Sequence, residues 1–261
     1  MKKLISIEWM KLRRLNTMKV ILLVYAAVVP LMFWAISYIQ VPIPSPIPGP
    51  GPPAFIGLPS SIFQFPDVYN YVAYIASFFN LMVGIIIIVF TTNELKYKTQ
   101  RQNVIDGLSK VEVIMAKFIV VVLLAGAISL YTFLVALIFG ALNGSIGDMF
   151  NEIELIGVYF ISTIGYFVFA FFFANLIRLP ALAIVLYLVS TTVEGIVGLI
   201  VTSTYVQFFP LTIFSALVPF PIDIMDPAPF MWGQAGRIGL TLLYISIFVF
   251  ISYRVIKKRD I

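Results

Sequence analysis

The chain contains neither cysteine nor histidine, and only 11% of its 261 residues are charged. Without cysteine there are no disulfides and no thiol nucleophile. Without histidine there is no imidazole base, and the commonest zinc ligands are missing. An H-E-x-x-H metalloprotease is excluded outright, and no serine–base dyad or pair of intramembrane aspartates stands out. No catalytic residue and no metal site is therefore assigned. Soluble domains carry roughly 25% charged residues. Here hydrophobic residues make up 61% and the mean hydropathy is +1.03, which rules out a soluble domain. A span needs about 20 apolar residues to cross a hydrocarbon core of about 30 Å, so this length accommodates several.

Six uncharged or nearly uncharged apolar runs meet that requirement. They cover residues 18–39, 68–92, 113–142, 153–177, 179–202 and 238–253. The sixth is expected to be short, with Arg237 and Arg254 at its edges reaching toward headgroups. The run beginning near Val20 is too long for a signal-peptide core and is followed by no small-residue cleavage pattern. The expected fold is an all-α membrane protein forming a single transmembrane domain over 1–261.

The net charge of +5, from 17 basic and 12 acidic residues, is a topology signal in such a chain rather than a sign of nucleic-acid binding. Basic residues precede span one, lie between spans two and three, sit at Arg178 between four and five, and follow span six. Segments 40–67 and 143–152 contain no Lys or Arg, and 203–237 has Arg237 alone. The positive-inside rule then places both termini in the cytoplasm, as an even number of spans requires.

Several local patterns carry mechanism. KKLISIEWMKLRR at 2–14 reads as an interfacial helix within 1–17. Ile5, Trp9 and Leu12 share one face, Glu8 lies among them, and basic residues such as Arg14 suit anionic lipid. In the polar segment 93–117, Glu94 and Lys98 form an i, i+4 pair in the favourable order. Tyr97, Arg101, Val104 and Ile105 could form one contact face of a short helix over 94–108, ended by Gly107. Ser109 followed by Glu112 is a capping box that opens the next helix. The alternative is an ordinary solvated loop. Arg178-Leu179-Pro180 makes a tight turn, with proline suited to a first helical turn.

Outside loops raise two more expectations. VPIPSPIPGPGPP at 41–53 reads as a stiff polyproline-type spacer or recognition surface. FFPLTIFSALVPFP within 203–237 is apolar, too short to span and interrupted by prolines. It is either re-entrant or a loop lying on the bilayer. Glu194, an acid inside span five, is hydrogen-bonded glue between helices or a lining group of a translocation path. Asn80 in span two reads as packing glue.

Taken together, these pieces resemble the type-2 ABC exporter permease family. The likeness is carried by Glu8, Trp9, Lys11 and Arg14 at the start and by Glu94, Thr99, Arg101, Gly107, Ser109, Lys110 and Lys117 around spans two and three. Lys98 stands where many relatives have Gly, and Gly107-Leu108 replaces a common Pro. The resemblance implies six spans, an N-terminal elbow helix, a coupling helix over 94–108 and re-entrant helices before the last span. It also implies a second permease copy, or a homologous one, in a dimer and cytosolic ABC ATPases carrying ATP and Mg, with lipid around them and no nucleic acid. Because the chain has no G-x-x-x-x-G-K-S/T phosphate loop, the ATPase would be a separate subunit and this chain holds no cofactor of its own. The implied location is the cytoplasmic membrane, and the implied direction is export. The competing classes are a secondary transporter, which would place coupling groups at the midplane, and a non-transporting accessory subunit.

Overall fold

A computed structural model describes residues 2–36, 40–43, 54–57, 60–96, 109–143, 146–201, 203–219 and 231–258. Ten α-helices follow one another in these stretches: α1 (Lys2–Arg13), α2 (Asn16–Ile36), α3 (Asp67–Phe78), α4 (Asn80–Lys96), α5 (Lys110–Asn143), α6 (Glu154–Leu176), α7 (Pro180–Ile200), α8 (Ser203–Val206), α9 (Pro210–Ala216) and α10 (Gly233–Lys258). Five of them (α2, α5, α6, α7 and α10) are long and apolar enough to cross a membrane, and the bent pair α3–α4 reaches that length only when its two helices are taken together. The fold is all-α apart from one small antiparallel ladder.

That ladder is the first departure from expectation. Gln40–Ile43 (β1) pairs with Ala54–Gly57 (β2), with Pro42 opposite Phe55. Residues 41–43 therefore belong to a strand rather than to a polyproline segment, and the remaining prolines lie in the connection, outside the described residues. The second departure is the break in span two. Helices α3 and α4 meet at Phe79 with a 48° bend, where apolar periodicity alone had given one continuous run. The sixth span is also longer than expected: α10 has 26 residues and holds Arg237 and Arg254 inside the helix rather than at its edges.

Helix α6 is the central post. It packs against α3, α4, α5, α7, α9 and α10, and its own buried residues point around most of its circumference, from Tyr159 through Phe171 to Asn175. Toward α10 the contact is aromatic: Phe169 and Phe172 each lie 5.1 Å from the Phe248 ring. Helices α2 and α7 sit at the periphery and turn large apolar side chains outward, among them Leu23, Leu31, Val185 and Ile196. Exposed aliphatic surface of that extent on span-length helices is the surface a bilayer covers.

Helix α5 has 34 residues. At about 1.5 Å per residue it is about 51 Å long, well beyond a core of about 30 Å, so its polar start continues outside the apolar layer. Pro30 lies inside α2 and leaves the Ala26 carbonyl without its usual i+4 donor. The Tyr131 hydroxyl on α5 supplies one, at 2.5 Å. In an apolar surround, such cross-helix donors are what make an internal proline tolerable.

Close approach also requires glycine at one contact. A Cβ built at Gly84 on α4 would stand 2.3 Å from the Tyr187 hydroxyl on α7, so the two helices touch only because that side chain is missing. Gly84→Ala is expected to cost about 1–3 kcal/mol of unfolding free energy through overpacking. Adding Tyr187→Phe removes the nearest clashing atom and should restore part of the loss, as read by thermal unfolding in detergent.

Candidate functional site

Acids and bases inside an apolar bundle are tolerated when they neutralise one another. At the polar end of α5, four such residues converge from three parts of the chain. The ammonium of Lys117 (α5) lies 3.0 Å from Glu8 Oε2 on α1 and also contacts Glu94 Oε2 at the end of α4. Lys11, one turn on from Glu8, reaches Glu8 Oε1 at 2.8 Å and Glu94 Oε1 at 3.1 Å. The result is a closed ring of alternating charge, Glu8–Lys117–Glu94–Lys11, with no net charge. Lys117 is 0% exposed and Glu8 2%, while the Lys11 side chain is 32% exposed and opens toward solvent. Phe90 lies on the apolar side, its ring 4.6 Å from the Lys117 ammonium, a cation–π contact.

Burial alone would push the Glu8 carboxyl up. The neighbouring Lys117 and Lys11 outweigh that and hold it below the ordinary carboxylate range. Burial would likewise lower Lys11, but its bonds to Glu8 and Glu94 raise it. A depressed acid stabilises the fold above its unfolded pKa and loses that contribution as pH falls through the folded value. A raised lysine stabilises below its unfolded pKa and loses the contribution as pH rises through the folded value. The ring therefore holds between the acid and alkaline limits and is lost outside both.

The sequence-derived residues fall as follows. On α1, Leu12 is buried, Trp9 half-buried and Arg14 exposed. Ile5 belongs to the helix, but its side chain lies outside the described residues. Glu94 is buried and turned to Lys11 and Lys117. Tyr97, Lys98, Thr99, Arg101, Val104, Ile105 and Gly107 lie outside the described residues. Just beyond them, the Ser109 N–H donates to Glu112 Oε2 at 2.9 Å, and the Glu112 N–H donates to Ser109 Oγ at 3.2 Å. This reciprocal pair satisfies orphan donors at the start of α5. Lys110 Nζ reaches the Lys257 carbonyl at 3.4 Å, which sets the start of α5 beside the end of α10.

Deeper in the bundle, Asn80 occupies the position just after the α3–α4 break. Its Oδ1 accepts from the Tyr159 hydroxyl at 3.1 Å, and its Nδ2 donates to Thr163 Oγ1 at 3.3 Å. The Tyr159 and Tyr25 hydroxyls lie 3.0 Å apart, and Tyr25 lies 2.9 Å from Thr132 Oγ1. This buried chain of polar groups joins α2, α4, α5 and α6.

Glu194 on α7 serves a different element. Its carboxylate accepts from the backbone N–H of Leu211 (3.2 Å) and Thr212 (3.0 Å) and from the Thr212 hydroxyl (3.2 Å), so it caps the N-terminus of the short helix α9. The opposite end of α9 is satisfied from two other helices. Ser162 donates to the Phe214 carbonyl at 2.6 Å, Arg237 to Ala216 at 2.9 Å and Gln234 to Leu217 at 2.8 Å. Leu211, Ile213 and Phe214 are buried. Short irregular backbone inside an apolar bundle requires this kind of complete pairing.

Sequence reasoning named Glu8, Glu94, Lys11 and Lys117 separately and missed their convergence. The available signal was Lys117 itself, five residues inside the apolar run that starts at 113, a charge that must find an acid.

A bundle of span-length apolar helices around a central post defines a polytopic membrane protein. The family model described as ABC-2 family transporter protein matches residues 4–209, and the chain belongs to that family. It is a multi-pass membrane permease of an ABC transporter. No curated protein matches the chain.

Removing one member of a buried ion pair costs about 3–5 kcal/mol. Lys117→Met should lose that much unfolding free energy, whereas Glu8→Gln with Lys117→Met restores net neutrality and should lose less than Lys117→Met alone. Chemical denaturation in detergent measures both. Glu194→Ala should cost about 1–3 kcal/mol, since it strips charged acceptors from two backbone donors.

Proposed function

We propose that the chain is the transmembrane subunit of an ATP-driven exporter and that separate cytosolic ATPases act on it through residues 94–108. Family membership supports the permease role. The separate ATPase is supported by the lack of a phosphate-binding loop in the sequence. The observation that carries the coupling reading is the anchoring of that segment. It leaves the bundle at Glu94 and re-enters through the capped start of α5, and Glu94 and Lys117 are both members of the buried ring. A segment held by rigid feet can pass on a push, whereas one hung on frayed helix ends would absorb it.

In this reading ATP and Mg bind on the partner ATPases, and their closure presses on the face formed by Tyr97, Arg101, Val104 and Ile105. Two permease copies, or this chain and a homologue, then alternate between inward- and outward-open arrangements. Both termini are cytoplasmic, by the distribution of lysine and arginine, and the protein resides in the cytoplasmic membrane. Helix α1 lies at the lipid surface as an elbow. The α8–α9 segment enters the outer side of the bundle as a re-entrant element, with Glu194 as its cap rather than a free lining group. That capping geometry favours the structural role of this acid over a coupling site for a secondary transporter.

The natural absence of cysteine makes the test clean. Single cysteines at Tyr97, Arg101 and Ile105 should crosslink to the ATPase in the assembled complex, and the ATPase should co-purify at one copy per permease. Assembly of the complex with no crosslink at any of the three positions would refute coupling through this segment.

A further inference from the structure

The ring does more than neutralise charge, because it adds ionic contacts among three helices, two of which, α1 and α5, also pack on each other. Glu8 and Lys11 belong to α1, Glu94 to the last turns of α4 and Lys117 to the second turn of α5. A single buried ammonium touches both acids, and the second lysine touches the same two acids from the solvent side. Displacing α4 or α5 alone by a few ångströms would break two of the four contacts and strand Glu94 or Lys117, and displacing α1 alone would break its two cross-helix contacts and split the ring into the separate pairs Glu8–Lys11 and Glu94–Lys117. Unpaired charge is most costly where water is excluded. Joint displacement of all three leaves every contact intact. Apolar packing between α1 and α5 adds to this restraint, and the ring gives it one ionic register.

We propose that the Glu8–Lys117–Glu94–Lys11 ring is a clasp that joins the elbow helix α1 to both feet of the 97–108 segment as one lever. Lys117 and Glu8 are its positioning residues. The inference rests on the coupling reading above and deepens it: a push on 97–108 is delivered to α1 as well as to α4 and α5. The elbow helix then tilts with the lever instead of floating at the lipid surface. Covered by Phe90 on the apolar side and by Lys11 on the wet side, the clasp stays dry while the lever turns.

The test uses spin labels on cysteines introduced at exposed sites in the full permease–ATPase complex in lipid nanodiscs. Met10→Cys with Leu123→Cys reports α1 against α5, and Met10→Cys with Leu188→Cys reports α1 against α7. With the clasp intact, the 10–123 distance is narrow and unchanged when the ATPase is trapped with ATP and vanadate, while the 10–188 distance shifts. Glu8→Gln, which is isosteric and leaves Lys117 paired with Glu94, at least doubles the width of the 10–123 distribution and cuts the nucleotide-driven 10–188 shift by half or more. Lys117→Met does the same, and Lys117→Arg restores the narrow distribution. A 10–123 distance that shifts with nucleotide in the parent, one that stays narrow in both Glu8→Gln and Lys117→Met, or a 10–188 distance that ignores nucleotide in the parent overturns the proposal. If no ATPase associates with the permease, the exporter reading fails. The 10–123 widths in the permease alone then still decide whether the clasp exists.

Discussion

A lysine ammonium with no access to water must be neutralised where it stands, and the base of this bundle is organised around that requirement. Lys117 lies inside the first apolar stretch of α5 and meets two carboxylates from other helices. The cost of burying Lys117 or Glu94 alone holds α4 and α5 in a common register, and Glu8 and Lys11 add two further ionic contacts from α1. Net stability gained from such a ring is small, because desolvation offsets much of the attraction. What it gives the fold is definition, since the three helices have one arrangement in which all four ionic contacts are made at once.

The same constraint, applied to backbone groups, accounts for the irregular parts of the molecule. At Pro30 and around α9, neighbouring side chains supply the partners that irregular backbone needs. Pro30 interrupts α2, and Tyr131 answers the freed carbonyl. The α3–α4 break places Asn80 among Tyr159 and Thr163. Helix α9, with only seven residues, has Glu194 at its start and Ser162, Arg237 and Gln234 around its end. These partners come from α6, α7 and α10, so α9 is held by the bundle rather than by its own length. A helix that short has little stability of its own, which makes its position depend on those three neighbours.

Much of this architecture was legible in the sequence because the signals are local. Apolar runs of span length coincide with the five span-length helices and with the bent pair α3–α4, and Ser109 with Glu112 marked the start of α5. Pro180 likewise stands at the opening of α7. What was not legible depends on distant partners. The bend at Phe79 follows from packing around α6 and leaves no proline or glycine at the break to announce it. The β1–β2 pairing brings together residues on either side of a proline-rich stretch, and local propensity favoured an unpaired extended chain there. Glu94 read as the partner of Lys98, four residues on, because helical spacing is visible in a sequence. Its contact with Lys117 spans 23 residues and that with Lys11 spans 83. Glu194 could be recognised as an acid needing donors, but the donors lie 17 and 18 residues away on another element.

The claim on which the account turns is that the buried ring, rather than the lipid surface, fixes helix α1. Hydrogen–deuterium exchange over residues 6–13 measures this directly, because amide protection reports the free energy of local opening. The account predicts slow exchange in the parent, comparable with the first turns of α5, and a marked loss of protection confined to α1 when Glu8 loses its charge. Fast exchange in the parent, or protection indifferent to Glu8, would show that α1 is held by the bilayer alone.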